Sequence, residues 1–208
     1  KEQQIFIPSA CGGRGSCGLC KVAVLEGGGP LLPTEPPWLT PEEQQDRIRL
    51  SCQLKVRRDL SIRIPEALFN VRQYQTEVAG IDDLTHDIKQ VTLKLIDPPA
   101  IAFTAGQYVQ IEVPPYALTD EPVYRAYSIA SDAAEPGRIE LEIRYVPNGI
   151  CTTYVHQHLK RGDRLTLNGP YGEFQLQPTD REIICIAGGS GMAPIRAILL
   201  EMARTRNP

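Results

Sequence analysis

Four cysteines in this chain have the spacing of a metal centre. Cys11, Cys17 and Cys20 lie within ten residues of one another in a glycine-rich segment, and Cys52 follows after a long interval. Thiolates hold the iron of iron–sulfur clusters, and a [2Fe–2S] cluster needs four of them. Glycines let a loop fold closely around such a cluster, because they adopt backbone conformations that a Cβ atom disfavours. The four cysteines therefore predict a [2Fe–2S] site.

Two other interpretations of these cysteines are weaker. Structural zinc sites usually combine two Cys-x-x-Cys pairs, whereas this chain has one such pair, Cys17 and Cys20, with a cysteine six positions before it. A disulfide framework is typical of short secreted chains, but this chain has 208 residues. An iron–sulfur site in a reducing compartment is favoured over both.

A second group of residues suits a flavin. Arg125, Tyr127 and Ser128 lie on one predicted strand. The guanidinium can pair with phosphate oxygens in a bidentate manner, the phenol ring can lie against an isoalloxazine, and the hydroxyl can bond near its edge. Alone the pattern is weak, because an alternating Arg and Tyr usually mark the solvent face and the core face of a strand.

A helix start suits the diphosphate of a dinucleotide. A helix is predicted over Cys151–Lys160 after the turn at Gly149, and the free N–H groups of a helix N-terminus favour a pyrophosphate. This favours FAD over FMN, although FMN proteins use similar motifs. Thr152 adds a hydroxyl, with ordinary helix capping as its alternative role. Cys151 is expected near the pyrophosphate through its backbone and without a role for its thiol.

A glycine turn near the end of the chain suits a second nucleotide. The apolar run Ile183–Ala187 predicts a buried strand, with Cys185 as a buried apolar residue. Gly189 and Gly191 then allow the backbone to approach a pyrophosphate before the next helix. The turn departs from the G-x-G-x-x-G fingerprint, because Pro194 stands where the last glycine would be.

The elements that must position these residues form a mainly β, α+β chain with three predicted domains, 1–68, 72–178 and 179–208. In the first, Thr40 and Glu43 predict the capping box of a short helix that ends near Arg47. Strands are predicted there over Lys21–Leu25, Leu50–Lys55 and Ser61–Ile64. Frequent short strands predict an antiparallel six-stranded barrel in the second, over Tyr74–Gly80, Ile88–Leu95, Tyr108–Val113, Arg125–Ala130, Ile139–Val146 and Arg164–Gly169. The third starts an α/β nucleotide-binding domain, with one strand and one helix over Ile183–Arg204.

The cysteine spacing also carries a family resemblance. Plant-type ferredoxins have C-x₄-C-x₂-C, and this chain has C-x₅-C-x₂-C. With the segments 28–35 (GGPLLPTE) and 49–53 (RLSCQ), the longer spacing resembles the flavoprotein subunits of sodium-translocating NADH:quinone oxidoreductases. The first domain is therefore expected to be a ferredoxin-like β-grasp fold.

Further motifs resemble the ferredoxin–NADP reductase superfamily. They are RAYSI at 125–129, AGQYV at 105–109, EIRYV at 142–146, GPYGEF at 169–174 and GGSGMAP at 188–194. The resemblance implies cluster ligands at Cys11, Cys17, Cys20 and Cys52, and cofactor-binding residues at Arg125, Tyr127, Ser128, Ile143, Tyr145, Gly149, Cys151, Thr152, Gly189 and Gly191. No catalytic acid or base is assigned.

The implied cofactors are a [2Fe–2S] cluster, FAD and NAD(P)H. The implied activity is an oxidoreductase that passes electrons from NAD(P)H through FAD to the cluster, and then to an external acceptor, either a quinone-reducing complex or a protein. Two alternatives stay open: the reductase component of an oxygenase, and a non-catalytic electron relay within a larger complex.

Composition limits the partners. A net charge of −3 gives no basic footprint for nucleic acid, and no apolar run reaches the roughly 20 residues of a membrane helix. Both ends look cut, so membrane association is expected only through missing segments or partner subunits. The expected location is cytoplasmic, either free or at the membrane periphery through a complex. His86, His156 and His158 are interpreted as exposed residues without a role.

Overall fold

The computed structural model describes residues 5–179 and 181–205 of the chain. The chain folds into two compact units, Lys1–Val71 and Arg72–Pro208. Both are built mainly from antiparallel strands, as the sequence predicts.

The first unit has a three-stranded sheet at its centre. Strand β1 (Lys21–Glu26) pairs antiparallel with β2 (Ile48–Leu50) on one side and β3 (Ser61–Arg63) on the other. Leu39 and Leu50 are buried in a small core with Cys20. The side chain of Cys20 therefore lies against apolar neighbours at the start of β1.

Helix α1 (Pro41–Gln45) begins with the predicted capping box. The Thr40 hydroxyl accepts a hydrogen bond from the Glu43 N–H at 3.2 Å, and the Glu43 carboxylate accepts one from the Thr40 N–H at 2.9 Å. The same carboxylate forms an ion pair with Lys21 Nζ at 2.7 Å. Helix α1 is thereby tied to the first residue of β1.

The predicted strand over Leu50–Lys55 is wrong. Strand β2 ends at Leu50, and Ser51–Gln53 forms a 3₁₀ turn. The Ser51 N–H donates to the Cys20 carbonyl at 2.8 Å, and the Leu54 N–H donates back to the Ser51 carbonyl at 3.3 Å. These two bonds turn the chain toward Cys20.

The second unit contains the predicted six-stranded antiparallel sheet. Its strands are β4 (Arg72–Asp83), β5 (Ile88–Asp97), β6 (Tyr108–Val113), β7 (Val123–Ser128), β8 (Arg138–Arg144) and β9 (Arg164–Tyr171), in the order β7-β6-β9-β4-β5-β8. The two edges meet through an Ile129–Leu141 bridge and a bond from the Ala130 N–H to the Glu140 carbonyl at 2.8 Å. The sheet therefore curls into a barrel around an apolar core, against which helix α2 (Ile150–Gln157) packs.

The predicted buried strand over Ile183–Ala187 is also wrong. The segment forms no strand, and Ile184 and Ile186 are 85% and 87% exposed. Cys185 is exposed rather than buried. A strand needs a partner for its backbone N–H and C=O groups, and no strand within the described residues pairs with this segment.

Helix α3 (Met192–Thr205) follows that segment and rests on the barrel. Its Arg196 guanidinium donates to the Ala130 carbonyl at 3.1 Å and to the buried Glu140 carboxylate at 2.5 Å. Ala197 and Ile198 are buried against Ala105. The N-terminus of α3 is thus fixed relative to the sheet.

Candidate functional site

The cysteine loop is shaped by glycines with a left-handed backbone. Gly15 has a φ of +69°, and a Cβ atom there would lie 2.8 Å from Gln53 Cδ. Gly18 has a φ of +70°, and its Cβ would lie 3.0 Å from Trp38 Cε3. At both positions a side chain would strain the backbone and collide with a neighbour. The loop can therefore wrap closely only with glycine at these two places.

The four cysteine thiols form two pairs. Cys20 Sγ lies 3.4 Å from Cys52 Sγ, and the side chain of Cys17 lies beside that of Cys11 and lowers its pKa. Within the described residues, no group of three or more His, Cys, Asp or Glu side chains converges as a mononuclear metal site requires. Two pairs of thiols suit a binuclear cluster, in which each iron takes two protein ligands. The donor set therefore fits [2Fe–2S] better than tetrahedral zinc.

The thiols of the two pairs differ in acidity. Burial acts to raise the pKa of Cys11, but hydrogen bonds from Ser16 and Cys17 outweigh it and lower this pKa to about 6. Burial raises the pKa of Cys20 to about 11, although a bond from the Cys52 backbone acts to lower it. A metal ligand must be deprotonated, so cluster assembly has to displace a proton from Cys20.

A buried ion pair supports the strand that leads to Cys52. Glu35 is fully buried and accepts bonds from Arg49 Nε at 2.8 Å and Nη2 at 2.6 Å. Arg49 Nη1 also donates to the carbonyls of Gly28 and Gly29, each at 3.0 Å. Burial acts to raise the pKa of Glu35, but the bonds from Arg49 and two backbone N–H groups hold it below its usual value.

The predicted flavin residues of β7 have different surroundings. Arg125 Nη1 donates to the Tyr124 carbonyl at 2.7 Å, and no carboxylate of the described residues lies within 4.0 Å of its guanidinium. Tyr127 packs against the barrel core. Ser128 ends β7 opposite Tyr108. Arg125 therefore keeps charge and donors available for an anionic ligand.

Cys151 is buried beside Tyr127. Its Sγ lies 3.9 Å from the Val123 carbonyl, and it also bonds with the Tyr127 hydroxyl. Burial raises the pKa of Cys151 to about 11 and the pKa of Tyr127 well above its usual value. Both groups stay protonated at neutral pH.

Thr152 shapes the turn in front of α2. Its hydroxyl donates to the carbonyls of Val146 at 3.1 Å and Gly149 at 3.3 Å, and accepts from the Val146 N–H at 3.2 Å. A Cβ atom on Gly149 would lie 2.5 Å from this hydroxyl oxygen. The first N–H groups of a helix have no intrahelical partner, so the backbone, rather than Thr152, offers free donors there.

Ile143 and Tyr145 lie on and just after β8. The Ile143 side chain is fully buried in the core, so only its backbone could face a ligand. Its carbonyl accepts a bond from His156 Nε2 at 2.9 Å. The expectation that His156 is an exposed residue is wrong, because helix α2 packs against the end of β8 and partly buries its ring. Tyr145 lies beside that ring, with centroids 5.4 Å apart.

The glycine turn before α3 has open space above it. Gly189–Gly191 forms a 3₁₀ turn, and Gly189 has a φ of +56°. A Cβ atom on Gly188 or Gly191 would meet no atom within 4 Å. This open backbone and the start of α3 fit the approach of a pyrophosphate.

Comparison with known families assigns a class to each unit. The family described as "2Fe-2S iron-sulfur cluster binding domain" matches residues 1–57, and the family described as "Oxidoreductase FAD-binding domain" matches residues 75–176. The chain thus has the resemblance to iron–sulfur flavoproteins of the ferredoxin–NADP reductase type that its motifs predict. Its cofactor domains are those of an iron–sulfur flavoprotein.

Curated relatives of this iron–sulfur flavoprotein carry one recurring name, that of a subunit of the Na(+)-translocating NADH-quinone reductase. The relative in Neisseria meningitidis serogroup B is 37% identical over 241 residues, covering 99% of the chain and 59% of the relative. The relative in Idiomarina loihiensis has the same name and is 37% identical over 235 residues, covering 96% and 57%. The chain thus spans less than three fifths of the length of these relatives.

Solved structures with similar folds include two reductases. The Amycolatopsis cytochrome P450 reductase GcoB has a TM-score of 0.71 and 31% identity, over 98% of the chain and 62% of that protein. The ferredoxin reductase in carbazole 1,9a-dioxygenase has a TM-score of 0.70 and 31% identity, over 99% and 64%. Among residues 5–179 and 181–205, no helix is both long and apolar enough to cross a bilayer.

Sequence reasoning missed the supporting residues around the cysteines. The sequence analysis assigned no physical role to three of them, and included them only within segments that resemble a family: Glu35, Arg49 and Gln53. The position of Arg49 between the apolar Ile48 and Leu50 was the available signal for a buried charge. Their partners are fixed by the fold, since Glu35 and Arg49 are 14 residues apart in sequence.

Proposed function

We propose that this chain carries electrons from a nicotinamide nucleotide through FAD to a [2Fe–2S] cluster, and from there singly to an external acceptor. The observation that carries the proposal is the pairing of the four thiols, Cys11 with Cys17 and Cys20 with Cys52, in a chain whose second unit is a flavin-type barrel. The cofactors supply the redox chemistry when bound, and the protein positions and tunes them.

The protein groups of the flavin barrel act by binding. The guanidinium of Arg125, which has no carboxylate partner among the described residues, and the N-terminus of α2 would hold the phosphates. Thr152 would keep the turn before α2 in shape through its bonds to Val146. Tyr127 and Cys151 are protonated at neutral pH because burial raises the pKa of each. Neither is therefore a base or a nucleophile, and the proposal needs no acid–base residue.

The nicotinamide nucleotide would bind at the Gly189–Gly191 turn. The open space at Gly191 and the N-terminus of α3 support this position. Arg196 holds α3 to the sheet through Glu140, so the turn has a fixed place on the barrel.

Relatives named as quinone reductase subunits favour a quinone-reducing complex as the acceptor, as does the C-x₅-C-x₂-C spacing. Such a complex would provide any association with a membrane. A second candidate is the reductase component of an oxygenase, favoured by the likeness to a cytochrome P450 reductase and a dioxygenase reductase over nearly the whole chain.

The test is an anaerobic titration of the purified chain with NADH or NADPH, followed by visible absorbance and electron paramagnetic resonance. We expect flavin and iron–sulfur absorption that one nucleotide bleaches, with the signal of a reduced [2Fe–2S] cluster. A colourless protein would overturn both cofactor assignments. A coloured protein that is reduced by dithionite but by neither nucleotide would overturn the proposal that a nicotinamide nucleotide delivers the electrons. It would favour a non-catalytic electron relay within a larger complex.

The matched variant for this titration is Gly191→Val. The space at Gly191 is open, so the fold should accept the larger side chain while the nucleotide loses its approach. We expect an unchanged spectrum and unchanged reduction by dithionite, with reduction by the nucleotide slowed at least about tenfold, the equivalent of about 1.4 kcal/mol. An unaffected rate would remove the turn from the proposed nucleotide site.

A further inference from the structure

The side chain of Gln53 reaches a cysteine sulfur. Its amide nitrogen Nε2 lies 3.5 Å from Cys52 Sγ, 3.4 Å from the Cys52 carbonyl and 3.3 Å from the Gly13 carbonyl. On the other side of the amide, Oε1 lies 2.9 Å from the Thr34 hydroxyl. Gln53 therefore contacts the fourth cysteine and also the loop that holds the first three.

The surrounding groups fix the orientation of this amide. A carbonyl oxygen can only accept hydrogen bonds, so the carbonyls of Gly13 and Cys52 require the NH₂ group on their side. The oxygen must then face Thr34, whose hydroxyl donates to it. A flipped amide would place two acceptors together at each carbonyl. The NH₂ group therefore faces three acceptors with its two N–H bonds, and the Cys52 sulfur is one of these acceptors.

Steric contacts hold Gln53 in the same place. The backbone of Gly15 passes so close that an added Cβ would lie 2.8 Å from Gln53 Cδ and 2.9 Å from its Nε2. Gly15 is buried. The amide therefore lies against the loop between Cys11 and Cys17.

We propose that Gln53 is a positioning residue that raises the reduction potential of the cluster by donating a hydrogen bond to the Cys52 sulfur, and that Thr34 holds its amide in that orientation. Reduction adds negative charge to the cluster and its thiolates. A hydrogen-bond donor at a ligand sulfur stabilises that charge, and such bonds are among the factors that set the potential. The inference rests on the proposed function, because it requires a cluster at these cysteines.

Three variants of the full chain separate tuning from simple support. Gln53→Met keeps the length of the side chain and removes the donor. Thr34→Val keeps the shape of the side chain and removes the hydroxyl, whereas Thr34→Ser keeps the hydroxyl and serves as its matched control. The midpoint potential of each is measured by redox titration with electron paramagnetic resonance detection.

We expect the potential of Gln53→Met to be more negative than that of the parent chain. Thr34→Val should shift it in the same direction by a smaller amount, because the amide is released but still present, and Thr34→Ser should match the parent. The reduced parent should also show an exchangeable proton coupled to the cluster by electron–nuclear double resonance in H₂O against D₂O. That coupling should weaken in Gln53→Met.

Equal potentials in the parent and in Gln53→Met, with the cluster intact in both, would overturn the inference and leave the proposed function standing. If Gln53→Met does not retain its cluster, the midpoint potentials of Thr34→Val and Thr34→Ser are compared instead. Equal potentials in these two variants would also overturn the inference. A parent chain without any iron–sulfur spectrum would overturn the proposed function and this inference with it.

Discussion

Gly106 is a position in the barrel where one added methyl group would collide with the backbone. Its φ is +98°, and a Cβ there would lie 1.8 Å from the Phe174 carbonyl oxygen. Gln107 Nε2 donates to the Gly172 carbonyl at 3.2 Å. The AGQYV segment and the chain after β9 therefore meet through their backbones.

Gly106→Ala should destabilise the barrel far more than Gly162→Ala. Gly162 has a similar φ of +90°, but a Cβ added there would meet no atom within 4 Å, so its variant measures backbone strain alone, about 1–2 kcal/mol. Gly106→Ala adds the collision with Phe174, and we expect at least about 2 kcal/mol more. Urea unfolding with a fluorescence readout measures both. Equal losses of unfolding free energy in the two variants would show that the chain around Phe174 can move away from the added methyl group at little cost.

At the scale of single residues, candidate ligands are easier to predict from sequence than the residues that support them. Cys11, Cys17 and Cys20 could be predicted as candidate ligands because their spacing is itself the chemical signal. The bond from Gln53 to the sulfur of Cys52 could not, because it depends on the 3₁₀ turn at Ser51–Gln53. The bond from the Thr152 hydroxyl to the Val146 carbonyl could not be predicted either, because it depends on the course of the turn before α2.

Among the elements, β2 depends on a buried charge pair. Arg49 lies on β2, and its guanidinium crosses to Glu35 and to the Gly28–Gly29 carbonyls. The Glu35 carboxylate also accepts bonds from the N–H groups of Leu32 and Leu50 at 2.8 and 3.0 Å. One ion pair thus joins β2 to the whole loop between β1 and α1.

Arg49→Met should destabilise the first unit by about 3–5 kcal/mol, because it leaves the Glu35 carboxylate buried without its counter-charge. The double variant Arg49→Met/Glu35→Gln should recover part of that loss, since a neutral amide still accepts from the backbone. Arg47→Met is the control, because Arg47 is exposed on the neighbouring turn and should change stability by less than about 0.5 kcal/mol. Chemical unfolding followed by loss of cluster absorbance measures all three. A double variant no more stable than Arg49→Met would contradict this account.

The same pair gives a pH dependence with a definite sign. The folded pKa of Glu35 lies below its ordinary value of 4.5. Its contribution to stability is therefore fully present above that value, and is lost as the pH falls through the lower, folded pKa. The double variant should lack this part of the acid-induced loss.

Elements were predictable where their signals are local. The capping box of Thr40 and Glu43 lies within four residues and predicted α1. The end of β2 was not predictable, because it depends on a hydrogen bond from the Ser51 N–H to the Cys20 carbonyl. These two residues are distant in sequence. The Ile183–Ala187 run has the composition of a buried strand, yet composition does not supply the neighbouring strand that its backbone needs.

Across the whole molecule, each cofactor domain has its own sheet and its own core. The three-stranded sheet shares no ladder with the six-stranded one, and the thiol pairs and Arg125 belong to different compact units. The mainly β class and the barrel were predictable, because strand periodicity and turn residues recur along the entire chain. A modular molecule of this kind should lose its cofactors separately.

Cys17→Ser should lose the [2Fe–2S] signal and retain flavin, because it removes one thiolate of the Cys11 pair and Cys17 belongs to the first unit. Arg125→Gln should do the reverse, since it removes the guanidinium expected at the flavin phosphates. Cys185→Ser changes an exposed cysteine outside both sites and should keep both cofactors. Iron content and flavin content per chain after gel filtration measure the outcome. Loss of both cofactors in Cys17→Ser would mean that the two units fold as one, and the modular description of this chain would then be wrong.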